Sequence, residues 1–81
     1  MHVIVRLFAS HREAAGTDTI HLTMTDGETA ADAYARARAA HVALPPSIDG
    51  LAFAINREIA GAATRLNDGD EVAVLPPVAG G

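Results

Sequence analysis

Alternation of apolar and polar residues marks three segments of this sequence as strands with one buried face. These segments are His2–Phe8, Thr19–Met24 and Glu71–Leu75. In each of them apolar residues recur at every second position, the period at which a strand points side chains to one side. The predicted inward set is Val3, Val5, Leu7, Ile20, Leu22, Met24, Val72 and Val74.

One main helix is predicted between the second and third of these strands. Thr29-Ala30-Ala31-Asp32 resembles a capping box, and the helix that it opens extends to about Ala40. The buried stripe is thin because alanine buries little area, so this helix is expected to lie close against the sheet. The stripe consists of Ala30, Ala33, Tyr34, Ala37 and Ala40. A shorter helical segment is predicted over residues 9–15, ended by Gly16.

Two short strands complete the predicted sheet. The apolar run Leu51–Ile55 is interpreted as a buried strand, and Asn56-Arg57-Glu58 as a turn before a return strand with Ile59. The order ββαβββ, with the first and last strands side by side in the centre, indicates an α+β fold of the ubiquitin-like β-grasp type. We therefore expect a mixed sheet packed on one main helix over residues 1–75.

The last six residues, 76–81, are predicted to form a flexible extended tail. Pro76 and Pro77 have no N–H with which to extend the sheet, and their fixed φ favours an extended exit. Gly80 and Gly81 have no Cβ, so they can thread a narrow channel and leave the terminal carboxylate uncrowded. Fully extended, these residues reach about 20 Å. That length suits a tail that enters a partner's active site.

The composition argues against several functional classes. The 81 residues carry a formal net charge of −4 and include neither lysine nor cysteine. The acidic balance disfavours a nucleic-acid or anionic-membrane partner, and no apolar run is long enough to span a bilayer. We expect a soluble, cytoplasmic protein. Without lysine, the chain cannot be linked to a second copy through a lysine side chain.

The polar residues show no catalytic or metal-binding pattern. No pair of histidines has the i, i+4 spacing of a helical metal site, so all four are predicted to be surface residues. They are His2, His11, His21 and His41. Ser10 next to His11 lacks a third partner for nucleophilic catalysis. The acidic cluster of residues 68–71 is better explained by turn geometry than by a bound cation.

A possible partner site lies on the sheet face opposite the predicted helix. By strand parity, Phe8 and Leu75 point to that face, together with Ile4 and Ile59. An exposed apolar cluster on a small soluble domain usually marks a partner site, although a loop could also cover it. We predict that Phe8, Ile59 and Leu75 bind partners.

The end of the sequence resembles the small subunit of molybdopterin synthase, a family in the sulfur-carrier branch of the ubiquitin-like fold. The resemblance is carried by Leu66-Asn67-Asp68-Gly69-Asp70-Glu71-Val72 followed by Pro76-Pro77-Val78-Ala79-Gly80-Gly81. Weaker likeness extends over Leu7-Phe8-Ala9, Arg12-Glu13, Gly16 and Ile55-Asn56. The alanine-rich helix face and Leu75, where an aromatic residue is common, depart from the family pattern.

The resemblance implies that sulfur is carried on Gly81. A ubiquitin-activating-type enzyme would adenylate its carboxylate with ATP, and sulfur transfer would leave a thiocarboxylate. The large synthase subunit would receive the tail, with Val78, Ala79 and Gly80 giving access, and sulfur would pass to cyclic pyranopterin monophosphate to form molybdopterin. The chain would be a non-catalytic, sulfur-donating subunit without bound cofactor or metal.

Three alternatives remain open from the sequence. The chain could carry sulfur for thiamine or cysteine synthesis, because carriers of those pathways also end in Gly-Gly. It could be a ubiquitin-like modifier that is conjugated to lysines of other proteins. It could also be a plain interaction domain in which the terminal glycines have no chemical role.

Overall fold

The computed structural model describes residues 1–77, which form one five-stranded sheet and two helices. The strands are β1 His2–Leu7, β2 Thr19–Thr23, β3 Ala52–Ile55, β4 Glu58–Ala60 and β5 Glu71–Leu75, and the helices are α1 Ala9–Ala15 and α2 Ala30–Ala40. The strand order is β2-β1-β5-β3-β4, with β1 parallel to β5 and the other pairs antiparallel. The predicted β-grasp, with its first and last strands adjacent in the centre, is confirmed.

The hydrophobic core lies between α2 and one face of the sheet. The strands bury Val3, Val5, Leu7, Ile20, Phe53, Val72 and Val74, and α2 buries Ala30, Ala33, Tyr34 and Ala37. Because the alanine side chains are small, α2 comes within 8 Å of β1, β2 and β5, measured between Cα atoms, and Tyr34 is the largest side chain that α2 buries. The Tyr34 hydroxyl donates a hydrogen bond to the Pro45 carbonyl at 2.6 Å. Ala40, which was predicted to belong to the buried stripe, is instead exposed at the end of α2.

Local signals in the sequence determine where the helices begin and end. The Asp32 N–H donates to the Thr29 hydroxyl, and the Asp32 carboxylate accepts from the Thr29 N–H at 2.9 Å, which completes the predicted capping box. These hydrogen bonds from Thr29 lower the pKa of the Asp32 carboxyl. Gly16 ends α1 with a φ of 75°. Phe8, predicted as the end of the first strand, is instead the N-cap residue of α1.

His11 contradicts the prediction that all four histidines lie on the surface. Its side chain faces inward from α1, the residue is 3% exposed, and its ring meets the Tyr34 ring edge-on with centroids 6.0 Å apart. Neither ring nitrogen has a hydrogen-bond partner within residues 1–77. Burial lowers the pKa of His11 because the protonated ring would lose its hydration. His2 and His21 are exposed as predicted, and His41 is half-buried.

Candidate functional site

The sheet face opposite α2, here called the outer face, carries the candidate docking residues. Across the sheet, Ile59 pairs with Ala54, Ala54 with Ala73, and Ala73 with Arg6. Neighbouring strands lie about 4.8 Å apart, so this row spans about 14 Å. Next to it, Ala52 pairs with Leu75. The outer face therefore presents a continuous strip of mostly small and apolar side chains.

Ile59 is held at one end of this strip by a tight hairpin between β3 and β4. The two turn residues, Asn56 and Arg57, have φ values of 51° and 71°, as a two-residue type I′ turn requires. The Asn56 side chain donates to Asp70 Oδ1 at 2.9 Å and accepts from the Glu71 N–H at 3.0 Å. The hairpin that carries Ile59 is thus bonded to the start of β5.

Phe8 and Leu75 lie at the opposite end of the outer face from the acidic turn. Each directly follows a member of the Leu7–Val74 pair, which joins β1 to β5. Phe8 keeps extended backbone angles, φ −133° and ψ 155°, and its carbonyl accepts from the His11 N–H at 3.1 Å. The junction between β1 and α1 therefore fixes Phe8 beside the end of β5, where the tail begins.

The exposure of these side chains differs along the strip. Ile59 is 76% exposed and Phe8 is 39% exposed. Leu75 and Ile4 are half-buried, which is less exposed than the strand parity alone suggested. We call Phe8, Ile59, Leu75 and the alanines between them the outer patch. The structure gives this patch a position and a shape, and its role in binding stays a prediction.

The acidic cluster before β5 is occupied by hydrogen bonds of the fold. Asp68 Oδ1 accepts from the His2 N–H at 2.7 Å, and Asp70 Oδ2 accepts from the Asn67 N–H at 2.7 Å. Gly69, with a φ of 86°, makes the turn itself. The turn interpretation is confirmed. Residues 1–77 contain no group of three histidine or acidic side chains arranged to hold a metal ion.

The base of the tail rests on the loop that precedes β3. Pro76 is half-buried and Pro77 is exposed. A Cβ atom placed on Gly50 would lie 3.5 Å from the Pro77 Cβ, which means that Pro77 is in van der Waals range of this loop. The candidate tail residues Val78, Ala79, Gly80 and Gly81 lie outside the described residues. Sequence reasoning missed Gly50, whose only local signal is the Asp49-Gly50 turn pair.

The sheet order, the outer patch and the position of the tail base together define a ubiquitin-like protein of the β-grasp class. None of the helices within residues 1–77 has the length and apolar character needed to cross a membrane.

Comparison with known proteins assigns this domain to a family. The model of the ThiS family matches residues 5–81, and the chain therefore belongs to the ThiS family. The molybdopterin synthase sulfur carrier subunit of Chlamydomonas reinhardtii is 39% identical over 83 aligned residues, which cover 100% of both chains.

Solved structures of similar proteins have the same fold. The crystal structure of SAMP1, a small archaeal modifier protein from Haloferax volcanii, matches with a TM-score of 0.88 and 30% identity over 100% of both chains. The complex of subunits 1 and 2 of molybdopterin-converting factor from Helicobacter pylori contains a chain that matches with a TM-score of 0.66 and 26% identity, again over 100% of both chains.

Proposed function

We propose that this chain is the sulfur-carrier subunit of molybdopterin synthase and acts in molybdenum cofactor biosynthesis. The family match that runs through residue 81 carries the proposal, supported by the full-length similarity to a sulfur carrier subunit. The outer patch adds a physical reason, because a carrier must bind its partners before its tail can reach their active sites. The patch lies beside the point where the tail leaves the sheet.

The chemistry takes place at the Gly81 carboxylate. A carboxylate oxygen attacks the α-phosphorus of ATP on a ubiquitin-activating-type enzyme, which releases pyrophosphate and forms an acyl adenylate. A sulfur donor then supplies hydrosulfide, HS⁻, which attacks the acyl carbon, displaces AMP and leaves a thiocarboxylate. The ATP is bound by the activating enzyme, and the cytoplasm is the proposed location of the reaction. The chain itself supplies the acyl group and no bound cofactor.

The second half of the cycle takes place on the large synthase subunit. The outer patch docks there through Phe8, Ile59 and Leu75, while Val78, Ala79 and Gly80 let the tail enter the active site. The thiocarboxylate sulfur is transferred to cyclic pyranopterin monophosphate, and water then cleaves the acyl bond to restore the carboxylate. Molybdopterin contains two such sulfurs, so each product consumes two loaded carriers.

Intact mass spectrometry tests this proposal. The chain is incubated with its activating enzyme, ATP and a sulfur source, and the expected product has one oxygen of Gly81 replaced by sulfur. A control variant with one residue added after Gly81 should keep its fold and remain unloaded. Loading of the extended variant would refute the terminal mechanism. Addition of the large subunit and cyclic pyranopterin monophosphate then separates this pathway from thiamine or cysteine synthesis.

Protein modification is a second candidate function, favoured by the similarity to SAMP1 from Haloferax volcanii. Conjugation would join the Gly81 carboxyl group to a lysine amine of another protein. Because this chain has no lysine, each acceptor lysine would carry a single copy. Higher-mass products that contain this chain, and that disappear when Gly81 is deleted, would support conjugation. Their absence from cells with an active activating enzyme would refute it.

A further inference from the structure

A positively charged residue, Arg6, lies on the outer face at the border of the outer patch. In the cross-strand row that begins at Ile59, Arg6 lies between Ala73 and Thr19, and it shares its side of β1 with Ile4 and Phe8. A partner that covers the outer patch would therefore remove water from this guanidinium group. A charge that loses its water needs a hydrogen-bonded partner of opposite charge.

Arg6 is incompletely bonded in the isolated chain. Its Nη1 lies 3.6 Å from Glu71 Oε2, which is longer than a charge-assisted hydrogen bond. Its Nε is buried and has no hydrogen-bond partner within the described part of the chain. Arg36 on α2 forms a complete pair by contrast, with Nε 3.1 Å from Glu28 Oε2 and Nη2 3.0 Å from Oε1. The two pairs have comparable exposure, with arginine side chains 41% and 44% exposed.

A packing role alone does not account for this arrangement. The methylene groups of Arg6 can cover the alanines of the row, but a methionine side chain would cover the same area without a charge. Fold stability does not require the guanidinium group either, because a partly exposed ion pair at 3.6 Å contributes little to the free energy of unfolding. The Arg6 side chain is 41% exposed although its Nε is covered, so the Nη1 and Nη2 donors at its end point instead to an acceptor that comes from outside the chain.

We propose that Arg6 selects the docking partner: the surface that covers the outer patch is apolar and carries one aspartate or glutamate that binds Arg6. This carboxylate takes the place of the distant Glu71 and uses the planar fork of the guanidinium group. A purely apolar partner would leave the Arg6 charge without compensation, so the residue rejects wrong partners as well as binding the right one. The inference rests on the proposed function for the identity of the partner, the large synthase subunit.

Three variants of the full chain test the inference by calorimetric titration against the large subunit. Arg6→Met keeps an unbranched apolar side chain and removes the charge, and we expect the Kd to rise about tenfold to a hundredfold. Glu71→Gln should bind at least as tightly as the unaltered chain, because it releases Arg6. The matched control is Arg36→Met, which breaks a similarly exposed pair on the helix side and should leave the Kd unchanged.

Two results would overturn the inference. Equal affinity of Arg6→Met and the unaltered chain would show that the charge is not used. Equal weakening by Arg6→Met and Glu71→Gln would show that the internal pair, rather than a partner carboxylate, matters for docking. If urea unfolding shows that Arg6→Met is not folded, Arg6→Lys is used in its place. Lysine keeps the positive charge and loses only the planar fork, so the affinity of Arg6→Lys should be lower than that of the unaltered chain without being abolished. Failure of the unaltered chain to bind the large subunit would instead refute the proposed function.

Discussion

Substitution of Ile59 by alanine tests the outer patch with a change that the fold itself should tolerate. Ile59 is 76% exposed, so most of its apolar surface contributes nothing to folding and is available to a partner. Complete burial of an isoleucine side chain contributes about 1.5–3 kcal/mol, and the exposed share accounts for about 1–2 kcal/mol of this. Alanine would lose nearly all of that contribution, which corresponds to a Kd about five- to thirtyfold higher.

The assay compares the affinity of each chain for the large synthase subunit with its stability in urea. Ile59→Ala should raise the Kd by the factor above and lower the free energy of unfolding by less than about 0.5 kcal/mol. Val42 offers a matched control, because it is 77% exposed but follows α2 on the helix side of the sheet. Val42→Ala should change neither quantity. If Ile59→Ala binds as well as the unaltered chain, or if both substitutions weaken binding equally, the outer patch is not the docking site.

Two further predictions concern the stability of the fold that presents the patch. His11 is buried with a lowered pKa, so the unfolded chain binds a proton more readily than the folded chain. Stability should therefore fall as the pH drops below 6.5, and His11→Leu should reduce this loss in urea titrations, whereas His21→Gln should retain it. Asp70→Ala removes the carboxylate that holds the Asn56 side chain and the Asn67 N–H. Urea unfolding should show a loss of about 2–4 kcal/mol, because hydrogen bonds to a charged group are stronger than average.

Definite results would contradict these two predictions. An unchanged pH dependence in His11→Leu would mean that other groups control acid stability. A loss of less than about 0.5 kcal/mol in Asp70→Ala would mean that water replaces the carboxylate at the turn.

Short-range patterns made much of this fold predictable. Alternation identified the inward residues of β1 and β5, and the Thr29–Asp32 capping box and Gly16 marked helix boundaries. These signals lie within a few residues of one another, and each reports a local backbone requirement. The alternation in β1 also predicts that Phe8 points to the outer side of the sheet.

Features that depend on distant parts of the chain were not predictable. α1 has only seven residues, too few for its periodicity to show that His11 faces Tyr34. The hydrogen bond between the side chains of Asn56 and Asp70 joins residues 14 positions apart, and no local sequence pattern predicts it. Strand parity placed Arg6 on the outer face, but parity cannot show that its Nε is covered and unbonded.

The parallel pairing of β1 with β5 has a consequence for newly synthesised molecules. Because β5 lies between β1 and β3, the sheet stays divided until the last strand has been made and inserted. Such long-range pairings form late and slowly compared with helices and hairpins. A molecule that has not yet inserted β5 thus cannot place Phe8 beside Leu75, even when its tail has already been made. An activating enzyme that requires both side chains for binding would select folded molecules and would leave molecules that have not finished folding without sulfur.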